Sequence, residues 1–131
     1  MDAVNWLAVG GAALSSFLVG GLWYGPVFGS AWMRASGMTE EQAAAAPMAR
    51  IFGLSFVLQF VAAAVLALFI GPDASPAFAV GAAASVGFCW VAPALGVVYL
   101  FEQRSLAHWA VNAGYHAVAF TLMGVVLGFW P

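Results

Sequence analysis

Charged side chains are what this sequence has least of. They make up 6% of its 131 residues, against about 25% in an ordinary soluble domain. Three cations and five anions cannot cover the surface of a soluble fold of this size. Hydrophobic residues make up 65% of the chain, against about 45–50% in soluble proteins. We therefore expect the chain to use the lipid bilayer as its solvent.

Positive charge is scarce enough to exclude one class of partner. Arg34, Arg50 and Arg104 are the only cations, and the formal net charge is −2. A nucleic-acid partner requires a basic patch, so we expect none. The single cysteine, Cys89, excludes both a disulfide within one chain and a metal site built from a cysteine cluster.

Long hydrophobic runs are what the sequence has instead. Four of them are long enough to cross the roughly 30 Å hydrocarbon core as helices at about 1.5 Å per residue, at about 4–24, 50–70, 77–101 and 106–130. Gly25-Pro26 is expected to close the first run, and Pro93 lies inside the third. The alternating polarity of membrane strands is absent. The sequence predicts one all-α domain over residues 1–131, a polytopic bundle of four transmembrane helices.

The loops predict an orientation in the membrane. Arg34 and Arg50 flank the first loop and Arg104 lies in the third, whereas the second loop carries only Asp73. Because positive residues prefer the cytoplasmic side, we expect the first and third loops inside and both termini outside.

The first loop is the only substantial extramembrane segment. Trp32 and Arg34 suit a short helix at the membrane surface, with the aromatic ring at headgroup depth. Thr39 and Gln42 have the spacing of a capping box, which predicts a second short helix that ends before Pro47.

The fourth hydrophobic run carries an unexpected polar stripe. Within an arc of about 100°, at 100° per residue, it places Ser105, His108, Asn112, Tyr115 and His116. An unpaired polar group in hydrocarbon costs several kcal/mol, so this stripe is expected to face protein or water. Each other helix places one polar residue at a similar depth. The predicted polar layer contains His116, Asn112, Gln59, His108, Ser16, Tyr115 and Trp90.

The chemistry of this layer excludes more than it assigns. His108 and His116 lie about 12 Å apart along the helix, so they cannot bind one metal ion together within a chain. Ser16 with His116 would be a nucleophile and a base, but no acidic orienting residue accompanies them. We expect no metal, no cofactor and no enzymatic activity. His116 is expected to hydrogen-bond to Asn112 and to Gln59.

Small residues spaced four apart indicate close helix contacts. They form the pairs Gly21 with Gly25, Gly81 with Ser85, and Gly124 with Gly128, and Gly114 is a further glycine of the fourth helix. These contacts can form within one chain or between chains, and we expect a homo-oligomer surrounded by membrane lipids. No other protein partner can be named from the sequence.

A short pattern occurs twice. Gly21-x-x-Tyr24 and Gly96-x-x-Tyr99 each lie near the end of an odd-numbered helix, and an arginine-bearing loop follows each. The pattern is compatible with two parallel helical hairpins.

Two parts of the chain carry a resemblance to a known family. They are Leu22-Trp23-Tyr24 with Pro26, Phe28-Gly29 and Trp32, and the run Asn112-x-Gly114-Tyr115-His116. Through them, the chain resembles an uncharacterised bacterial family of four-helix membrane proteins, the domain of unknown function DUF1761. The resemblance implies a stand-alone domain in the bacterial cytoplasmic membrane, and it implies no activity and no catalytic residues.

Two functions remain open. The first is a permeation or transport unit that moves a proton or a small solute past the polar layer, and it predicts a cavity accessible to water beside His116. The second is a membrane interaction or scaffold subunit with a purely structural layer, and it predicts a dry, fully paired network. The titratable His116 favours the first.

Overall fold

Four helices dominate the structure. A computed structural model describes residues 4–130. The two termini, which the sequence predicts to lie outside the cell membrane, are not among the described residues. The first to fourth membrane helices span Trp6–Val27, Met48–Ile70, Pro76–Phe101 and Leu106–Phe129. Two short helices, Gly29–Ser36 and Glu40–Ala45, lie between the first two, and residues 4–130 contain no strand. The predicted all-α, multi-pass membrane fold is confirmed.

Three of the membrane helices begin at a polar side chain that caps them. Asn5 accepts a hydrogen bond from the Ala8 N–H over 3.1 Å, and Ser75 caps the third helix in the same way. Ser105 accepts from the His108 N–H over 3.1 Å. A helix start has N–H groups without partners, and caps satisfy them. Ser105 was predicted to belong to the polar stripe, and the structure assigns its side chain to this cap instead.

Two prolines lie in or near π-helical turns. The first helix reaches a kink at Gly25-Pro26, where the sequence placed its end: Gly25, within the π-helical turn Trp23–Val27, has the non-helical φ of −98° and ψ of −105°. A second π-helical turn, Val86–Val91, ends two residues before Pro93. Proline has no N–H and its ring crowds the preceding turn, and a wider turn relieves that crowding.

The first loop folds back onto the bundle. Gly29–Ser36 ends at Gly37, whose φ of 73° is left-handed, and it packs against the fourth membrane helix. Thr39 and Gln42 form the predicted capping box at the start of Glu40–Ala45. The two short helices that the sequence indicated in the first loop are therefore present.

The fourth membrane helix is the centre of the bundle. It packs against the first and third helices, whereas the second helix packs mainly against the first and touches the third only weakly. The fourth helix has the largest buried share of the four. The helices therefore follow one another in space in the order second, first, fourth, third.

Glycines decide how closely the third and fourth helices approach. A Cβ atom at Gly124 would lie 2.6 Å from the Cβ of Ala83, and one at Gly87 would lie 2.9 Å from the Cα of Ala117. Gly128 meets Ala79 in the same way. These contacts leave no room for a side chain, so the two backbones nearly touch.

The other predicted packing residues differ in their surroundings. Gly114 faces the Trp23 ring, 3.0 Å from where its Cβ would lie. A Cβ at Gly21, Gly25 or Gly81 would meet nothing within 4 Å. Ser85 is exposed and its hydroxyl donates to the Gly81 carbonyl over 2.8 Å. Among residues 4–130, these three glycines therefore leave open space where a side chain would lie, and Ser85 lies on the surface.

A purely apolar core fills the half of the bundle away from the arginine-bearing loops. Its most buried members include Val9, Ala12, Ala63, Leu66 and Met123, each at most 5% exposed. Alanines are frequent among these residues, so the helices approach closely. The side chains of Asn112, Tyr24 and Tyr99 lie nearer the arginine-bearing loops.

Candidate functional site: a paired polar layer inside the bundle

Asn112 joins three membrane helices through one amide group. The Tyr24 hydroxyl donates to its Oδ1 over 2.6 Å, and its Nδ2 donates to the Tyr99 hydroxyl over 2.7 Å. Tyr24 belongs to the first helix and Tyr99 to the third. Each end of the amide thus has a partner from a different helix.

Gln59 forms a second network that joins the first, second and fourth helices. Its Oε1 accepts from the Ser16 hydroxyl over 3.0 Å, and its Nε2 donates to the Tyr115 hydroxyl over 2.7 Å. The Tyr115 hydroxyl in turn donates to the Ser16 carbonyl over 3.0 Å. The three residues close a ring of hydrogen bonds in which Ser16 is fully buried.

Aromatic rings connect the two networks and cover them. The rings of Tyr24 and Tyr115 lie 5.4 Å apart between centroids. Trp32, from the first loop, contacts Tyr24 edge-on at 5.9 Å. The Trp23 indole donates to the Val111 carbonyl over 2.8 Å. The first loop therefore covers the layer from the side of the arginine-bearing loops.

His108 lies at the edge of the Asn112 network. It is only 6% exposed, and its ring centroid is 5.0 Å from that of Tyr99. Its Nδ1 atom is buried and has no hydrogen-bond partner among residues 4–130. His108 is thus part of the buried layer rather than a residue of the membrane surface.

His116 is not bonded as predicted. Within the described residues, the amides of Asn112 and Gln59 are occupied by tyrosines and by Ser16, so neither holds the imidazole. Instead, the His116 ring lies 5.0 Å from that of Tyr115. Consecutive residues of a helix point in directions 100° apart. Because Tyr115 points into the bundle, the neighbouring His116 side chain points away from the amide networks.

Trp90 lies apart from the layer. It is 72% exposed, although the sequence placed it at the same depth as Ser16 and Gln59. Depth along a helix does not determine which face a residue occupies, and in this turn Gly87 makes the contact with the fourth helix.

Tyr24 and Tyr99 are the members of the layer that the sequence-based reasoning did not include. The signal was present, because both tyrosines end the repeated Gly-x-x-Tyr pattern. In the structure the two copies of that pattern meet at Asn112. The repeat therefore marks the two partners of one amide.

Two cavities of the structure are lined by neither of the two amide side chains. One open cavity of about 260 Å³ is lined by Tyr99, Arg104 and Trp109 among others. Another of about 210 Å³ lies at the opposite end of the bundle, beside Asn5 and Trp130. Neither is lined by Asn112, Gln59 or His116. Residues 4–130 contain no group of three side chains able to hold a metal ion.

Comparison with known proteins gives one match. The model of a family described as "Protein of unknown function (DUF1761)" matches residues 7–128. No curated protein and no solved structure matches the chain. The family match covers all four membrane helices except the first and last residues of the bundle.

Proposed function

The chain belongs to the DUF1761 family, and we propose that it works as a membrane interaction subunit in which the polar layer is structural. The observation that carries this proposal is the pairing of the two amides. Gln59 and Asn112 each have a hydrogen-bond partner at both ends of the side chain. A network paired in this way orients the helices and leaves no amide free to bind a solute. The role involves no catalytic step.

The apolar half of the bundle supports the same proposal. A solute that crossed the membrane inside this chain would have to pass the core formed by Val9, Ala12, Ala63, Leu66 and Met123. The apolar side chains of this core offer a polar solute nothing to replace its hydration. The layer is therefore better suited to fixing helix positions than to conduction.

A permeation unit for a proton or a small solute is the second candidate. The specific observation in its favour is the unpartnered, buried Nδ1 of His108, because a free imidazole nitrogen can accept a proton. The half-buried His116 ring adds a second titratable group next to Tyr115.

The two candidates differ in what purified protein does in liposomes. For the interaction subunit we expect proton and solute flux equal to that of protein-free liposomes, together with self-association in nanodiscs of native-like lipid. Flux that depends on the protein, from a chain that stays monomeric, would replace this proposal with the permeation unit.

The proposed setting is the bacterial cytoplasmic membrane. The Tyr24 and Tyr99 contacts with Asn112 bring together the ends of the first and third helices, which supports placing the first and third loops on one side. Their arginines Arg34, Arg50 and Arg104 favour the cytoplasm for that side, with both termini outside.

A further inference from the structure

The third membrane helix has three consecutive exposed residues near the middle of its span. Phe88 is 61% and Trp90 72% exposed, and Cys89 between them is exposed as well. At 1.5 Å per residue, Trp90 lies about 16 Å from the helix end at Phe101. Tryptophan normally lies at headgroup depth, so an outward-facing tryptophan at this depth needs a physical reason.

Trp90 presents a hydrogen-bond donor to the membrane. The indole of Trp23 donates to the Val111 carbonyl over 2.8 Å. That of Trp109 donates to the Ala92 carbonyl over 2.9 Å. Within residues 4–130 the Trp90 nitrogen has no acceptor of this kind. Hydrocarbon offers none either, so the donor is free on the outer surface of the bundle.

The same turn also presents an acceptor. The N–H of Ala92 donates to the carbonyl of Gly87 and not to that of Phe88, which would be its α-helical partner. The next residue, Pro93, has no N–H to donate. The Phe88 carbonyl therefore lacks both its usual helical donor and the one that a π-helical turn would supply.

Small residues allow another helix to approach this donor and acceptor. Gly81, Ser85 and Cys89 follow one another at a spacing of four and share one face. A Cβ at Gly81 would meet nothing within 4 Å, and the Ser85 hydroxyl is occupied by the Gly81 carbonyl. A neighbouring backbone can thus come close beside Cys89, between the rings of Phe88 and Trp90.

A face with one free donor and one free acceptor is complementary to itself. A two-fold axis parallel to the membrane normal, close to Cys89, brings the Trp90 indole of each copy towards the Phe88 carbonyl of the other, at nearly equal depth. We propose that two copies of this chain pair through this face of the third helix, with two Trp90 N–H to Phe88 carbonyl bonds. The inference rests on the proposed function and specifies its partner as a second copy.

The only cysteine of the chain reports directly on this interface. The full-length protein is reconstituted in liposomes at several protein-to-lipid ratios and oxidised by molecular oxygen with the membrane-soluble catalyst copper phenanthroline, which joins two neighbouring thiols as a disulfide. We expect a dimer linked at Cys89 whose yield stays high as the protein is diluted. The matched control is the double variant Cys89→Ser, Leu58→Cys, because Leu58 is 69% exposed on the second helix. Its cross-linking should fall with dilution, as random collisions do.

The free donor is tested by substitutions that keep the ring. Trp90→Phe removes the indole N–H, and the loss of two average interhelical bonds should weaken dimerisation in nanodiscs about fivefold to tenfold. Trp6→Phe, at another exposed tryptophan (46%), should leave dimerisation unchanged. Gly81→Leu should block pairing by bulk, whereas Gly53→Leu, equally free of contacts within 4 Å, should not.

Each result supports or overturns the inference. Dilution-resistant cross-linking at Cys89 with a defect specific to Trp90→Phe supports it. Equal cross-linking from positions 58 and 89, or equal dimerisation of Trp90→Phe and Trp6→Phe, overturns it. A stable dimer that does not cross-link through Cys89 rejects this face and leaves the interaction function standing. A monomer at every density rejects both.

Discussion

The Tyr24 hydroxyl donates a hydrogen bond of 2.6 Å to the amide oxygen of Asn112, which connects the kinked end of the first membrane helix to the fourth. The π-helical turn that contains Tyr24 thus lies at a helix contact. Tyr99 completes the amide from the other side. The two tyrosines therefore hold one central side chain from two different helices.

Removing one tyrosine hydroxyl should destabilise the fold only while Asn112 is present. Tyr24→Phe leaves the Asn112 oxygen without its partner, and we expect a loss of about 1–2 kcal/mol in unfolding free energy, the scale of one interhelical bond. In an Asn112→Leu background the same change should cost nothing. The measurement is steric trapping or denaturant unfolding in bicelles. Equal costs in both backgrounds would contradict the bond.

Gly124→Ala should destabilise the bundle by about 1–3 kcal/mol, the usual cost of overpacking. The new methyl group would lie 2.6 Å from the Cβ of Ala83 and 2.8 Å from the Ala79 carbonyl, and two helix backbones must move to make room. Gly53→Ala is the control, because nothing lies within 4 Å of that position, and it should be neutral or slightly stabilising. The same unfolding assay distinguishes them, and equal effects would argue against the close crossing.

Gln103→Gly should stabilise the protein by about 1 kcal/mol, the scale of the left-handed penalty. Gln103 has a φ of 58°, and the Arg104 N–H donates back to the Tyr99 carbonyl over 2.9 Å, the pattern of a helix end that usually carries glycine. Gln103→Ala is the control and should bring no gain, because alanine retains a Cβ. A gain from alanine equal to that from glycine would refute the backbone explanation.

His116→Leu should change the unfolding free energy by less than about 1 kcal/mol, because the substitution removes none of the interhelical hydrogen bonds described above. Gln59→Leu should cost more, since it leaves Ser16 and Tyr115 without their shared amide. Proton flux in liposomes should equal that of protein-free vesicles for wild type and for both variants. Wild-type flux that His116→Leu abolishes would support the permeation candidate.

Impermeant thiol labelling can test the proposed orientation. In a Cys89→Ser background, Asp73→Cys in the second loop should react with a charged maleimide added outside spheroplasts, because that loop is expected to face out. Glu41→Cys in the first loop should react only after the membrane is opened. Both native residues are exposed, so accessibility within the protein does not bias the comparison. The reverse pattern would invert the topology.

The sequence alone predicted the features that depend on local composition. Four long hydrophobic runs must become helices in a bilayer, because only internal hydrogen bonding satisfies their backbone there. The capping box at Thr39 and Gln42 was predicted as well, because it depends only on two residues three positions apart. The inward direction of Asn112 and Tyr115 also followed, since lipid penalises unpaired polar groups wherever they occur.

Partner choice within the layer was decided only by the tertiary structure. His116 and Asn112 lie one helical turn apart, but the amide is occupied by tyrosines from two other helices. Trp90 reaches the right depth on the outer face of its helix. Helical rotation, the crossing at Gly87 and the two proline-associated wide turns together determine which side chains meet. These depend on packing between segments distant in the chain, and local spacing carries no information about them.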